Sequence, residues 1–259
     1  MKVLDNTWRG RGMPSLEKYP DVSVDPAPVL ALLAECPVAE ATPLANSGNL
    51  AAALGIGSLH IKDERGRMGL GSFKALGAAY AIAKAAHNGG VEGETFVTAS
   101  AGNHGLSVAA GAKVFGARAV VYLAETVPAA FADLLRGKGA DVVIEGVDYE
   151  ASMVAAAAAA EANGWRLLSD STWDGYNGGV DVMEGYLAMA SEAAGQIPAA
   201  PTHIFLQAGV GGLAAACAAH ARQEWGDAPQ IIVVEPDQAE TLLASIEAGA
   251  PAHAPGDAS

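Results

Sequence analysis

Lys74 stands at the centre of the segment Gly-Ser-Phe-Lys-Ala-Leu-Gly, where an apolar, alanine-rich stretch predicts a helix over residues 72–88. Ser72 is a favourable N-cap, so Lys74 falls in the first turn of that helix. A cation in this position faces the positive end of the helix dipole, which favours the neutral amine, and a neutral amine can attack a carbonyl carbon. The alternative is a surface lysine in a frayed first turn, and on this segment alone that alternative is the better one.

Two further segments have the order strand, small-residue turn and helix. Residues 95–105 read Thr-Phe-Val-Thr-Ala-Ser-Ala-Gly-Asn-His-Gly, and residues 203–214 read His-Ile-Phe-Leu-Gln-Ala-Gly-Val-Gly-Gly-Leu-Ala. Each predicts backbone N–H groups at a helix N-terminus, where anions bind. One reactive amine and two anion sites suit a cofactor with an aldehyde and a phosphate, together with a substrate that has a carboxylate. Pyridoxal phosphate and an amino acid fit that description.

Alternating helices and strands must position these groups. The predicted helices lie at 28–35, 49–54, 72–88, 103–115, 128–138, 150–163, 180–194, 212–225 and 238–248. The predicted strands lie at 58–62, 95–99, 118–123, 141–145, 165–169, 203–207 and 230–234. Strand–helix repetition with buried, β-branched strands predicts an α/β fold on parallel sheet with right-handed crossovers.

Composition limits the classes of partner. The 259 residues are 51% hydrophobic and 17% charged, which predicts a large buried core. A net charge of −14 argues against nucleic acid or an anionic membrane surface as a partner. Cys36 and Cys217 lie far apart in apolar segments and are expected to be reduced, and no metal ligands are predicted. With neither an apolar signal region nor a run long enough to span a bilayer, the sequence predicts a cytoplasmic protein.

An ordered set of short motifs carries a resemblance to a known family. The motif Lys-Asp-Glu-Arg-Gly-Arg at 62–67 precedes the lysine segment. The other motifs of the set are Thr-Pro-Leu at 42–44, residues 100–105, residues 170–176, Glu-Gly-Tyr at 184–186, the glycine turn 209–212 and Glu-Pro at 235–236. Together they resemble diaminopropionate ammonia-lyase, one of the tryptophan-synthase-like (fold type II) pyridoxal-phosphate enzymes. The resemblance covers nearly the whole chain from about residue 40.

The resemblance implies two α/β domains with parallel sheets and the cofactor in the cleft between them. The large domain would comprise residues 1–92 and 176–259, and the small domain residues 93–175. Family members continue beyond residue 259, so we expect the C-terminal part of the large domain to be missing, including the Ser or Thr that faces the pyridine nitrogen. The resemblance also implies a homodimer.

Roles for individual residues follow from the same resemblance. Lys74 would hold the cofactor aldehyde as a Schiff base and, once released, remove the substrate α-proton, while Phe73 would pack on the pyridine ring. The Ser100 hydroxyl and neighbouring N–H groups would bind the substrate carboxylate, and Asn103 the phenolic oxygen of the cofactor. The complete predicted sets are Phe73, Lys74, Asn103, Gly209, Val210, Gly211 and Gly212 for the cofactor, and Ser100, Ala101, Gly102, Asn103, His104 and Asp170 for the substrate.

Asp170 and His104 have simpler alternatives. Asp170 could meet the β-ammonium of diaminopropionate, which would favour that substrate over serine, or it could belong to a solvated turn. His104 is predicted to be a hydrogen-bonded structural group near a helix start and not a catalytic base.

Ala101 departs from the family pattern. At the position that resembles Ala101, diaminopropionate ammonia-lyases have an Asp and serine racemases have a Ser. Alanine can neither give nor take a proton, so we expect elimination from L-amino acids only. Threonine and serine dehydratases carry the same alanine, which makes a dehydratase the first alternative to β-elimination from diaminopropionate.

The glycine turn also supports a different class of enzyme. Gly209-x-Gly211-x-x-Ala214 matches the dinucleotide fingerprint, and the next strand ends at Glu235, where a ribose-binding acid belongs. A nicotinamide-dependent oxidoreductase is therefore a second alternative, although it leaves Lys74 unexplained. A third is an inactive, truncated relative that serves only as a dimerisation partner.

Overall fold

The computed structural model describes residues 2–252, in which helices and strands alternate along the chain. The helices are α1 (Ala27–Leu33), α2 (Gly48–Leu54), α3 (Lys74–Gly89), α4 (Asn103–Val114), α5 (Ala129–Gly137), α6 (Tyr149–Asn163), α7 (Gly178–Gly185), α8 (Leu187–Gln196), α9 (Gly212–Trp225) and α10 (Thr241–Ala248). The strands are β1 (Leu44–Asn46), β2 (His60–Lys62), β3 (Thr95–Ala99), β4 (Arg118–Leu123), β5 (Asp141–Ile144), β6 (Arg166–Leu167), β7 (His203–Gln207) and β8 (Gln230–Val234). Short 3₁₀ helices lie at Pro14–Leu16 and Glu64–Gly69.

Two parallel sheets and one antiparallel pair hold these strands. The larger parallel sheet has the order β5-β4-β3-β6, and β3 at its centre is buried along its whole length. In its register Val97 lies opposite both Val120 and Leu167. Strands β7 and β8 form the second parallel pair, with Leu206 opposite Val233. Both sheets fit the predicted α/β class with parallel strands, whereas the antiparallel pair β1–β2 was not predicted.

Several predicted boundaries differ from the observed ones; the strand predicted at 58–62 begins at His60 and the helix predicted at 238–248 begins at Thr241. Three further differences concern residues near the site. Helix α3 begins at Lys74 and not at residue 72, because the Ser72 hydroxyl accepts the Lys74 N–H at 3.3 Å from outside the helix. The single helix predicted at 180–194 is two helices, since the Tyr186 N–H bonds to Met183 only three residues back and tightens the turn. The strand predicted at 165–169 is shorter, Arg166–Leu167. Beyond it the Leu168 N–H still donates to the Val97 carbonyl, and the Ser169 N–H donates to the Tyr176 hydroxyl.

Helices α3 and α7 cross with their backbones in contact, and this crossing positions the site described below. A Cβ atom added to Gly77 would lie 2.7 Å from the Val182 carbonyl oxygen, and one added to Gly185 would lie 2.6 Å from the Leu76 carbonyl oxygen. Only glycine permits so close an approach. The crossing brings Tyr186, just beyond α7, against the first turn of α3.

A buried ion network anchors the segment that precedes Lys74. The Arg67 side chain is fully buried, and its guanidinium donates to Glu64 at 2.8 Å and to Glu192 of α8 at 2.7 Å. Lys62 donates to the same Glu192 at 2.8 Å. Burial by itself would raise the pKa of Glu192, but the hydrogen bonds from Arg67 and Lys62 outweigh it and hold that pKa below its usual range.

Replacing Arg67 by methionine should lower the free energy of unfolding by about 3–5 kcal/mol, because the partly buried Glu64 carboxylate loses its ion pair and Glu192 is left with Lys62 alone. In the unchanged protein Glu192 has a lower pKa in the folded state than in the unfolded state, so its ionised form stabilises the fold. This stabilisation is fully present above the ordinary glutamate pKa, and it is lost as the pH falls from there through the lower pKa of the folded state. Urea unfolding at pH 7 and at a series of pH values well below the ordinary glutamate pKa measures both effects. Arg65→Met is the matched control, since the Arg65 side chain is 89% exposed; equal losses in the two variants would contradict this account.

Among residues 2–252, no helix combines the length and the apolar character that crossing a membrane requires.

Candidate active site

A cavity of about 190 Å³ lies where the first turns of α3 and α9 face each other. The last residue of β7 and the segment after β6 also reach it, so it opens at the carboxyl ends of parallel strands, where ligands of α/β proteins bind. Its lining residues are Phe73, Lys74, Asp170, Tyr186, Gln207, Gly209, Val210, Gly211, Gly212 and Leu213. The predicted site residues among them come from three segments far apart in sequence, and the fold brings them together.

Lys74 meets Asp170 at this cavity. The Lys74 Nζ donates to Asp170 Oδ2 in an ion pair, and the two side chains are 24% and 10% exposed. The same Nζ lies 5.8 Å from the centroid of the Phe73 ring. The carboxylate therefore neutralises the ammonium and holds the amine at the cavity.

Asp170 stays ionised although it is largely buried. Burial alone would raise its pKa, but the positive charge of Lys74 and the hydrogen bond that it donates hold the Asp170 pKa below its usual range. A carboxylate at this position can pair with a cation, either the lysine or an ammonium group of a ligand.

The glycine turn between β7 and α9 exposes backbone donors. The Ala208 N–H donates to the Val234 carbonyl at 2.9 Å, next to the end of the β7–β8 pair. The first hydrogen bond of α9 runs from the Ala215 N–H to the Gly211 carbonyl at 2.9 Å. The N–H groups of residues 212–214 precede that bond and have no carbonyl partner inside the helix.

The shape of this turn suits a phosphate. Gly211 has a φ of +95°, in the left-handed region that glycine adopts without strain. A Cβ atom on Gly209 or Gly211 would meet nothing within 4 Å, so both glycines border open space. An anion with several acceptor oxygens fits a helix N-terminus with bare N–H groups and room beside it. The residues present therefore fit the phosphate of a pyridoxal cofactor.

The turn at residues 100–104 is not part of the cavity lining in the described chain. The Ser100 hydroxyl accepts the Gly102 N–H at 3.2 Å, and Ala101 and Asn103 are exposed at the start of α4. Binding of a substrate carboxylate by this turn stays a prediction.

His104 links that turn to the site. It is buried, and its Nε2 donates to the Leu168 carbonyl at 2.9 Å, so it is a hydrogen-bonded structural group in the described chain. Burial lowers the pKa of His104 below its usual range, and the Asp170 carboxylate only partly opposes this shift. The imidazole therefore remains neutral near the Lys74–Asp170 pair.

Sequence reasoning missed three of the lining residues, Tyr186, Gln207 and Leu213. Gln207 ends a strand next to the glycine turn, and the rule that ligands bind at strand carboxyl ends could have identified it. Tyr186 was only part of a family motif, and no local signal marks it as a lining residue. It reaches the cavity through the close crossing of α3 and α7.

Glu235 has a structural role that accounts for its position. Its carboxylate accepts the N–H groups of Leu242 at 2.7 Å and of Leu243 at 3.0 Å, at the start of α10. The acid that suggested a ribose-binding residue thus caps the next helix.

Comparison with known proteins gives consistent results. The family described as "Pyridoxal-phosphate dependent enzyme" matches residues 37–258. The diaminopropionate ammonia-lyase of Salmonella typhimurium is 37% identical, and the match covers 84% of this chain and 60% of that protein. The biosynthetic L-threonine dehydratase of Pasteurella multocida is 31% identical, with 83% of this chain and 39% of that protein covered.

A solved structure shows the same fold. The crystal structure of the Escherichia coli diaminopropionate ammonia-lyase, in complex with an aminoacrylate–pyridoxal phosphate azomethine reaction intermediate, superposes with a TM-score of 0.83 and 30% identity. The match covers 88% of this chain and 63% of that one. The chain thus spans about 60% of the length of the curated ammonia-lyase from Salmonella typhimurium. These findings confirm the resemblance to this lyase and the fold type II class.

Proposed function

The chain belongs to the family of pyridoxal-phosphate dependent enzymes, and from this premise we propose that it catalyses β-elimination on a small L-amino acid. The proposed substrate is 2,3-diaminopropionate, which with one water gives pyruvate and two molecules of ammonia. One observation carries the proposal: a single cavity is lined by the Lys74 amine, the Asp170 carboxylate and the glycine turn 209–212.

The cofactor would be held by residues from both sides of the cavity. In this proposal the glycine turn would bind its phosphate, the Phe73 ring would pack on its pyridine ring and the Lys74 amine would bond its aldehyde. Asn103, which lies outside the cavity lining in the described chain, would bond its phenolic oxygen. When bound, the cofactor supplies an electron-withdrawing ring that accepts the electron pair released at the substrate α-carbon.

The side chains of this chain would then move the proton and orient the substrate. The Lys74 Nζ takes the α-proton as the general base. Asp170, which already pairs with a cation, binds the β-ammonium that leaves as ammonia. The Ser100 hydroxyl and the N–H groups of its turn bind the substrate carboxylate. The positions of Phe73, Lys74 and Asp170 support these roles.

Borohydride trapping tests the proposal. The protein is incubated with pyridoxal phosphate, reduced with borohydride and digested, and we expect the cofactor mass on the peptide that contains Lys74. L-2,3-diaminopropionate should then give pyruvate and ammonia in a 1:2 ratio. A label on Lys74 without turnover of any amino acid would favour the inactive relative. A thermal shift with a nicotinamide dinucleotide and no label would favour the oxidoreductase.

A threonine or serine dehydratase is the second candidate. It is favoured by Ala101, which matches the dehydratase pattern, and by the similarity to an L-threonine dehydratase. The ratio of kcat/KM for L-diaminopropionate to that for L-threonine separates the two activities.

Ala101 should make the enzyme selective for L-amino acids. Because the Ala101 methyl cannot take a proton, we expect D-diaminopropionate to react at least about 100-fold more slowly than the L-isomer, the lower range of a general-base contribution. Ala101→Asp should raise the rate on the D-isomer and leave the L-rate within a few fold. Steady-state pyruvate formation from each isomer measures this, with Ala101→Asn as the isosteric control that lacks a base. Equal rates on the two isomers in the unchanged enzyme would contradict the prediction.

We also propose, on the strength of the family resemblance, that the protein is a homodimer in the cytoplasm. Light scattering after size exclusion measures the oligomeric state.

A further inference from the structure

The Tyr186 hydroxyl is a buried donor without a partner. Tyr186 is 2% exposed, and its hydroxyl has no hydrogen-bond partner within residues 2–252. Buried tyrosine hydroxyls are nearly always hydrogen-bonded, so an unpaired one beside a cavity indicates a missing acceptor.

The hydroxyl end of the ring lies between the first turns of two helices. A Cβ atom placed on Gly77 of α3 would be 2.8 Å from Tyr186 Cε1, and one on Gly212 of α9 would be 3.6 Å from Cε2. Both carbons are bonded to the carbon that bears the hydroxyl. The Phe73 ring packs edge-on against Tyr186 with 5.1 Å between centroids. This packing holds the ring in one orientation at the cavity that Tyr186 lines.

Two kinds of unsatisfied donor therefore converge on the start of α9. The N–H groups of residues 212–214 have no carbonyl partner inside the helix, and the Tyr186 hydroxyl lacks an acceptor in the described chain. Burial raises the pKa of Tyr186, as does the nearby Asp170 charge, so the hydroxyl keeps its proton. Donors of both kinds are satisfied by one tetrahedral anion with several acceptor oxygens.

We propose that the Tyr186 hydroxyl donates a hydrogen bond to the phosphate group bound at the glycine turn, and so positions the cofactor against Lys74. This inference rests on the proposed function for the identity of the phosphate as that of pyridoxal phosphate. Inorganic phosphate has the same chemistry, and the experiment separates the two. Tyr186 acts here as a positioning residue and takes no part in proton transfer.

Tyr186→Phe removes the hydroxyl and keeps the ring. Dissociation constants for pyridoxal phosphate, for pyridoxal, which lacks the phosphate, and for inorganic phosphate are measured by absorbance and calorimetry. We expect the variant to bind pyridoxal phosphate about 10–100-fold more weakly, the range for a hydrogen bond to a charged group, and inorganic phosphate more weakly as well. Its affinity for pyridoxal should be unchanged.

Stability gives an independent readout. Without ligand, the melting temperature of Tyr186→Phe should equal or exceed that of the unchanged protein, because an unpaired buried hydroxyl is removed. With pyridoxal phosphate the order should reverse. Tyr80→Phe is the matched control: Tyr80 is 3% exposed, its hydroxyl donates to Glu184 and it is absent from the cavity lining of the described chain. Its ligand affinities should not change.

Each outcome decides the proposal. If Tyr186→Phe loses equal affinity for pyridoxal phosphate and for pyridoxal, or loses affinity for neither, the proposed phosphate contact is overturned, even in an enzyme that carries out elimination. A selective loss for phosphate-bearing ligands in a protein that eliminates nothing would support the phosphate contact while the proposed function fails. If the unchanged protein binds none of the three ligands, both are overturned.

Discussion

Replacing Lys74 by arginine is expected to abolish covalent attachment of pyridoxal phosphate and to reduce elimination at least about 10²–10⁴-fold, the range of a general acid–base contribution. Arginine keeps the positive charge beside Asp170, but its guanidinium is neither a nucleophile nor a base near neutral pH. The loss would therefore report the chemistry of the amine and not the loss of an ion pair.

Two measurements check this. Mass spectrometry after borohydride reduction reports covalent attachment, and pyruvate formation from L-diaminopropionate reports turnover. Lys84→Arg is the matched control, since Lys84 lies on the same helix and pairs with Asp181 and Glu184. Its attachment and turnover should be normal. Attachment to Lys74→Arg at a different lysine, with turnover retained, would show that residue 74 does not perform the reaction.

Asp170→Asn should produce the second large effect, a change in substrate selectivity. A carboxylate that pairs with a substrate ammonium contributes strongly to the free energy of substrate binding. Removing one partner of a buried charge pair costs about 2–5 kcal/mol of binding free energy, or roughly 30-fold or more in affinity. We expect kcat/KM for L-diaminopropionate to fall by at least that factor. L-serine has a hydroxyl in place of the β-ammonium, so kcat/KM for L-serine should fall much less.

The comparison of two substrates separates two roles of Asp170. Any effect through the Lys74 amine lowers both rates equally, whereas the ratio of the two kcat/KM values isolates the contact with the β-ammonium. Asp174→Asn serves as the control, because Asp174 lies in the same segment, is 73% exposed and pairs with Lys18. An unchanged ratio in Asp170→Asn would mean that Asp170 acts through Lys74 alone.

The amino-acid sequence by itself determined the elements and the types of chemical group. Alternating helical and strand patterns predicted β3, β4, β7 and α9 within a residue or so of their observed bounds, because periodicity and turn residues are local properties. The lysine segment and the glycine turn indicated a reactive amine and an anion site for the same reason. The family resemblance added the cofactor, which the comparisons confirm.

Only the tertiary structure decided which groups meet. Lys74 and Asp170 are 96 positions apart, and their ion pair depends on how α3 packs against the segment after β6. Tyr186 reaches the cavity because Gly77 and Gly185 let two helix backbones touch, and Glu235 caps α10 where its spacing alone suggested a ribose contact. The physical reason is that sequence patterns encode the period and ends of each element, whereas contacts across the fold arise from side-chain packing over long separations.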